Sequence, residues 1–285
     1  LTSFFIFIMN PIFWHDPFEI LNSLKLMSKY QQDICTLTLG DCMKSMNLPS
    51  SYYFIWLFFK LPIVILFGLI LYPLIEKKIS KNIFTNFIII SLLTTSSSIL
   101  VIFIILKVAI YDELRHVMFL IPLILIISLT CLYFFNKKIF MIFGILTSIF
   151  FIAENISLNP YQYTWMNSFA KFYDINKKFE VDYWGISNKS LSHQINEDFN
   201  SRVFEKDNCI YGGQYSNIFL HNHGFECFKS YSELDSAKER PYYVIKNVRN
   251  TKRSNPKDCK LVKNETFNYL FYNKPISAGS LWFCD

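Results

Sequence analysis

The sequence predicts a membrane protein, all-α in its membrane part: a polytopic helical bundle followed by a small extracytoplasmic α/β domain. Three observations carry this reading. The composition changes near residue 156, four apolar runs of bilayer length precede that point, and six of the seven cysteines fall in one set of segments. The chain has 285 residues, 52% of them hydrophobic and 30 of them phenylalanine. Mean hydropathy is +0.25. The apolar excess sits in residues 1–156, whereas 157–285 show the mixed pattern of a folded polar domain.

A helix needs about 20 apolar residues to cross the hydrocarbon core. Residues 54–75, 84–106, 117–135 and 139–156 supply four such spans, and 1–13 read as the end of a fifth. Glu154 and Asn155 intrude at the end of the last one. None of the runs shows the alternation of a barrel strand, so helices are expected. The chain is apolar from Leu1, with no basic stretch ahead of it as a signal peptide would have. A fragment that begins inside a span is the expectation.

Short loops set the orientation. Residues 76–82 carry Lys77, Lys78 and Lys81, and 136–138 carry Lys137 and Lys138. Lysine-rich short loops stay cytoplasmic. Residues 14–53, 107–116 and 157–285 then fall on the other side, which gives a multi-pass protein, placed in a bacterial inner membrane, with its C-terminal domain extracytoplasmic. The cysteines agree. Cys131 lies within a span, while Cys35 and Cys42 share the first outer loop and Cys209, Cys227, Cys259 and Cys284 share the tail. Even numbers in segments outside the cytoplasm suit disulfides. Cys35–Cys42 would close the loop, and three pairings of the other four remain open.

Within loop 14–53, residues 18–30 place Ile20, Leu24 and Met27 on one face and predict a helix lying on the membrane surface. In the tail, 189–199 predict an amphipathic helix through Leu191, Ile195 and Phe199. Residues 209–211, 242–245 and 266–272 predict strands, and Gly212–Gly213 a break.

Three clusters carry candidate chemistry. Tyr111-Asp112-Glu113-Leu114-Arg115-His116 sets ionisable groups between two apolar runs. Charge at mid-bilayer costs roughly 2.5–3.5 kcal/mol or more, so these groups belong at the interface or in a polar cavity. A guanidinium there suits bidentate capture of a lipid phosphate. The competing reading is a boundary salt bridge between Asp112 and Arg115. Trp14-His15-Asp16-Pro17 offers His15 and Asp16 for acid–base work, against a helix cap by Asp16 ahead of Pro17. The third cluster is aromatic: Tyr161, Tyr163 and Trp165, then Asp182, Tyr183 and Trp184. Such rings among carboxylates and amides serve either a sugar site or a membrane-interface belt.

Other classes fall away. The net charge of +6 comes from scattered lysines with no basic stripe, which excludes nucleic acid as the partner. His221 and His223 do not make a zinc site by themselves. The sequence fixes no cofactor; a divalent cation is admissible but has no ligand set in this chain. Neither a Gly-rich phosphate loop nor Gly-x-Ser-x-Gly occurs.

In order along the chain, these clusters resemble the C-terminal half of the GT-C superfamily of membrane glycosyltransferases, and within it bacterial relatives of the dolichyl-phosphate-mannose protein mannosyltransferases. The resemblance rests on Pro11 to Pro17, on Leu48-Pro49 with Tyr52-Tyr53, and on Tyr111-Asp112-x-x-Arg115-His116 with Phe119 and Pro122. Asn159-Pro160-Tyr161-Gln162-Tyr163 and Asp182-Tyr183-Trp184-Gly185 complete it. It covers roughly residues 10–190. It implies transfer of a sugar from a polyprenyl-phosphate donor to an extracytoplasmic glycan or protein acceptor. Arg115 would hold the lipid phosphate with support from His116 and Asp112. His15, Asp16, Tyr161, Tyr163, Asp182, Tyr183 and Trp184 would lie on the substrate side. The family's catalytic acid belongs to an earlier outer loop, upstream of Leu1. The alternative is a non-catalytic, membrane-anchored binding or sensor module. A transporter fits less well, since the spans have few mid-membrane charges or Gly/Pro breaks.

Overall fold

The computed structural model describes Asn22 and residues 34–199, 208–212, 216–221, 224–236, 241–247 and 255–285. The readings on residues 1–13, on the surface helix 18–30 and on His15 and Asp16 lie outside them, Asn22 apart.

The second half of the first loop is a β-hairpin, which periodicity did not indicate. Strands β1 (Cys35–Thr38) and β2 (Asp41–Lys44) pair antiparallel and are tied by the Cys35–Cys42 disulfide. Leu39 and Gly40 turn the chain with φ of 52° and 98°. Two successive positive φ values match the twist of a two-residue hairpin, and glycine takes the second without strain.

The expected span 54–75 is not one helix. Helix α1 (Ser51–Lys60) and α2 (Ile63–Ile70) meet at 117°. Pro62 is the reason: it has no N–H, and it drives Leu61 into the extended region, with φ −88° and ψ 137°. Helix α3 (Tyr72–Ile79) continues from α2. Helix α1 therefore lies apart from the run that follows it, with Tyr52, Tyr53 and Trp56 buried.

Helices α4 (Ile83–Ile105) and α6 (Lys137–Ser157) are both long and apolar enough to cross a membrane. At 1.5 Å per residue they reach about 34 and 31 Å. The bent pair α1–α2 passes the same test only when its two parts are taken together, and α5 (Leu120–Phe135) is apolar but shorter. α4 and α6 leave Ile83, Phe87, Ile105, Ile142 and Ile145 exposed, a surface that water does not favour. Close packing occurs where side chains are small. A Cβ on Gly68 of α2 would stand 2.1 Å from Ser128 Oγ of α5, which donates to Ile65 O at 2.7 Å. Small residues at such crossings let helix backbones approach.

The tail folds around a five-stranded mixed sheet in the order β4-β3-β5-β7-β6. Its strands are β3 (Ile210–Gly212), β4 (Phe228–Lys229), β5 (Tyr242–Asn247), β6 (Lys260–Phe267) and β7 (Ile276–Cys284). The pairs β3–β4 and β3–β5 are parallel; β5–β7 and β6–β7 are antiparallel. A strand expected over 266–272 lies earlier, as β6, and β7 had not been foreseen. Its buried face runs Leu281 and Phe283, but the small Ala278, Gly279 and Ser280 dilute the signal. Two short helices, α7 (Ile175–Lys178) and α9 (Ser216–His221), flank helix α8 (Ser187–Phe199). α8 lays Leu191 and Ile195 on Tyr243, Ile245, Leu281 and Phe283. Gly279 permits that approach, since a Cβ there would meet Ser187 Oγ at 2.9 Å. Disulfides Cys209–Cys227 and Cys259–Cys284 tie β3 and β7 to the segments beside them, and Cys131 is free and buried.

The hairpin, loop 106–116 and the tail all meet at one end of the helices. The lysine loops meet at the other, where Lys78 Nζ donates to Phe134 O at 2.5 Å.

Candidate functional site

The hairpin docks first. Glu180 N donates to Leu37 O at 2.8 Å, Leu37 N to Glu180 Oε2 at 3.0 Å, and Gly40 N to Lys178 O at 2.9 Å. Trp56 of α1 then donates through Nε1 to Thr38 Oγ1 at 3.0 Å. This joins the hairpin, α1 and the tail into one frame.

Loop 106–116 is threaded into that frame by its backbone. Asp112 N donates to Thr36 Oγ1 at 3.1 Å. Glu113 N donates to the Tyr52 hydroxyl at 3.1 Å, and the same hydroxyl donates to Glu113 O at 3.4 Å. Both residues are left-handed, with φ of 56° and 65°. Two adjacent non-glycine residues in that region cost of order 1–3 kcal/mol each and persist only when their surroundings hold them. Here Thr36 and Tyr52 do the holding.

The strained turn aims two carboxylates in different directions. Glu113 points inward, buried, with Oε2 at 2.5 Å from Lys60 Nζ. Lys60 also donates to Tyr163 O at 3.1 Å. Glu113 Oε1 is buried and has no hydrogen-bond partner among the described residues. Burial pushes the Glu113 carboxyl up to about 7, against the pull of the Lys60 ammonium. Asp112 points toward Arg115, with Oδ2 at 3.2 Å from Nη1; their side chains are 4% and 25% exposed.

Arg115 is the cation that this arrangement presents. Its guanidinium carbon lies 4.5 Å from the Tyr111 ring centre and 5.1 Å from that of Trp184. Cation–π contact of this kind contributes about 0.5–2 kcal/mol. Nε donates to His116 Nε2 at 3.2 Å, and His116 packs edge-on against Tyr111 at 4.7 Å. Burial first, and the neighbouring Arg115 second, hold the imidazole below its usual range. Nη2 of Arg115 has no protein partner among the described residues.

The substrate-side candidates divide. Trp184 is half exposed and faces Arg115. Asp182 is consumed by packing: it accepts from Ile186 N at 2.8 Å, Ser187 N at 3.0 Å, the Ser187 hydroxyl and the Tyr163 hydroxyl. Burial still raises its carboxyl above the usual range, while those donors oppose the shift. Tyr161 is buried, stacked on Phe267 at 4.8 Å, with its hydroxyl 3.5 Å from Glu265 Oε1. Tyr183 packs edge-on to Tyr163 at 5.0 Å. Among the described residues no group of three or more His, Cys, Asp or Glu converges as a metal site would.

No protein-family model matches this sequence, and neither a curated protein nor a solved structure matches it.

Four contributors were missed by sequence reasoning. Lys60 had a signal, as the one charge within 54–75. Glu113 sat inside the cluster singled out but had no role there. Thr36 and Tyr52 contribute one hydroxyl each through long-range contacts, and no local pattern encodes those. A second buried pair, Glu154 with Lys171, fastens the end of α6 to the tail. Trp165 Nε1 donates to the same carboxylate at 2.7 Å. Glu154 had read only as an intrusion in a span.

Proposed function

We propose that this protein is a multi-pass membrane glycosyltransferase that uses a polyprenyl-phosphate-linked sugar, with Arg115 as the ligand of the lipid phosphate. The observation that carries the reading is the presentation of Arg115. Its guanidinium is flanked by two rings, fixed by Asp112 and His116, and keeps Nη2 without a partner among the described residues. A planar fork held at the end of apolar helices suits a phosphate whose lipid lies alongside them. In this reading the tail and loop 106–116 are extracytoplasmic and the two lysine loops are cytoplasmic.

A second reading has its own support. Asp182, Tyr161 and Tyr163 make internal contacts, as they would in a non-catalytic binding or sensor module anchored to the membrane.

The test is sugar transfer from an undecaprenyl-phosphate-linked donor in membranes carrying the protein, with binding of undecaprenyl phosphate to purified protein measured beside it. Undecaprenol is the phosphate-free control. Arg115→Lys should weaken phosphate binding at least tenfold while protein level and insertion stay unchanged. An Arg115→Lys protein that binds undecaprenyl phosphate like wild type would end the assignment and leave a boundary ion pair. Orientation is checked by a cysteine introduced at Ser80. Its labelling by an impermeant reagent in intact cells would reverse the topology.

A further inference from the structure

Away from Arg115, a cleft of about 820 Å³ opens between α8, α9 and β6. Small-molecule clefts span about 300–1,000 Å³ and combine apolar walls with a few placed polar groups. Pro160, Ile186 and Phe219 form the apolar wall here, and Ser190, His193 and Glu265 supply polar groups. Lys189 stands at the exposed mouth.

The Glu265 carboxylate is fixed in place. Oε2 accepts from Ser190 Oγ at 2.8 Å and lies 3.6 Å from Lys263 Nζ. Lys263 also donates to Ser190 Oγ at 2.9 Å, and Tyr161 OH reaches Oε1 at 3.5 Å. Ser192 lies behind this lining, 1% exposed, and its hydroxyl has no hydrogen-bond partner among the described residues.

We infer that this cleft binds a neutral saccharide. A pyranose offers C–H faces and hydroxyl edges on one ring, which match an apolar wall opposite a fixed carboxylate. Phe219 and Pro160 take the ring face. Glu265 and His193 take the hydroxyls. A purely aliphatic ligand would cover the Glu265 carboxylate without a donor to answer it, whereas sugar hydroxyls donate to it. The inference does not depend on sugar transfer. If both hold, the cleft seats the acceptor, and Pro160 places it just beyond the end of α6.

The experiment is saturation-transfer NMR on the purified full chain in lauryldimethylamine oxide micelles, which carry no sugar headgroup. The probes are maltotriose, mannotriose and chitotriose, with trigalacturonate as the acidic comparison. At least one neutral trisaccharide should receive saturation. Glu265→Gln and Phe219→Ala should each abolish it with an unchanged melting profile, and Arg115→Lys should retain it. If Phe219→Ala does not fold, Glu265→Gln decides alone. The inference is overturned by transfer to none of the neutral sugars, by equal transfer in Glu265→Gln, or by transfer to trigalacturonate or detergent chains only. Because the probe carries no phosphate or lipid, its failure is separate from failure of the donor reading.

Discussion

The two ends of the helices handle charge in opposite ways. At the lysine-loop end, Glu76, Lys77, Lys78, Lys81, Lys137 and Lys138 are all exposed. At the other end Asp112 and Glu113 are buried, Lys60 is one-tenth exposed, and a strained turn threads them through two other segments. Exposed charges contribute about 0–1 kcal/mol per pair. A buried ion pair carries a desolvation cost that its attraction only partly offsets, and removing one partner is severe. At the first end each charge is solvated and needs no partner. At the second end the charges depend on one another, because burial has removed them from water. The difference singles out the buried end as the one whose charges stand or fall together.

The largest effect should come from Lys60→Ala, which strands the Glu113 carboxylate. Stability, followed by thermal unfolding in detergent, should fall by about 3–5 kcal/mol at pH 8. The double variant Lys60→Met/Glu113→Gln should recover much of it. A loss below 1 kcal/mol would erase the distinction between the two ends.

Next in size is the tail's cross-linking. Replacing Cys259 and Cys284 by serine opens a link across a separation of 25 residues. About 3 kcal/mol of stability should go with it, on the loop-entropy account. Non-reducing peptide mapping should recover Cys35–Cys42, Cys209–Cys227 and Cys259–Cys284. Six free thiols would remove one support for an extracytoplasmic tail.

Protonation gives a finer test. The Glu113 carboxyl has an ordinary value of 4.5 and is pushed up to about 7 in the fold. Between those values the folded chain holds a proton that the unfolded chain has released. Stability should therefore decline as pH rises from about 4.5 to 7 and level off above. Glu113→Gln should flatten that stretch of the profile. A decline that survives Glu113→Gln would assign it elsewhere.

The smallest effects should fall at the lysine-loop end. Lys78→Ala and Lys138→Ala should each change stability by no more than about 0.5 kcal/mol, as exposed substitutions usually do. A larger loss for Lys78→Ala would show that its bond to Phe134 O matters more than its exposure suggests.

The sequence by itself determined the apolar helices, the helical stripe of Leu191 and Ile195, and the cluster around Arg115, because each is a local pattern of period, length or charge. Pro62 was also in view, yet the bend it causes depends on what α1 packs against, and an apolar run reads the same whether straight or broken. Only the tertiary structure decided that Lys60 meets Glu113, that Thr36 and Tyr52 hold a left-handed turn, and that Asp182 is spent on packing. It also brought Ser190 and Glu265, 75 residues apart, into one cleft. Contacts at such separations depend on how elements dock, and one hydroxyl or one carboxylate in a sequence carries no mark of the partner it will find.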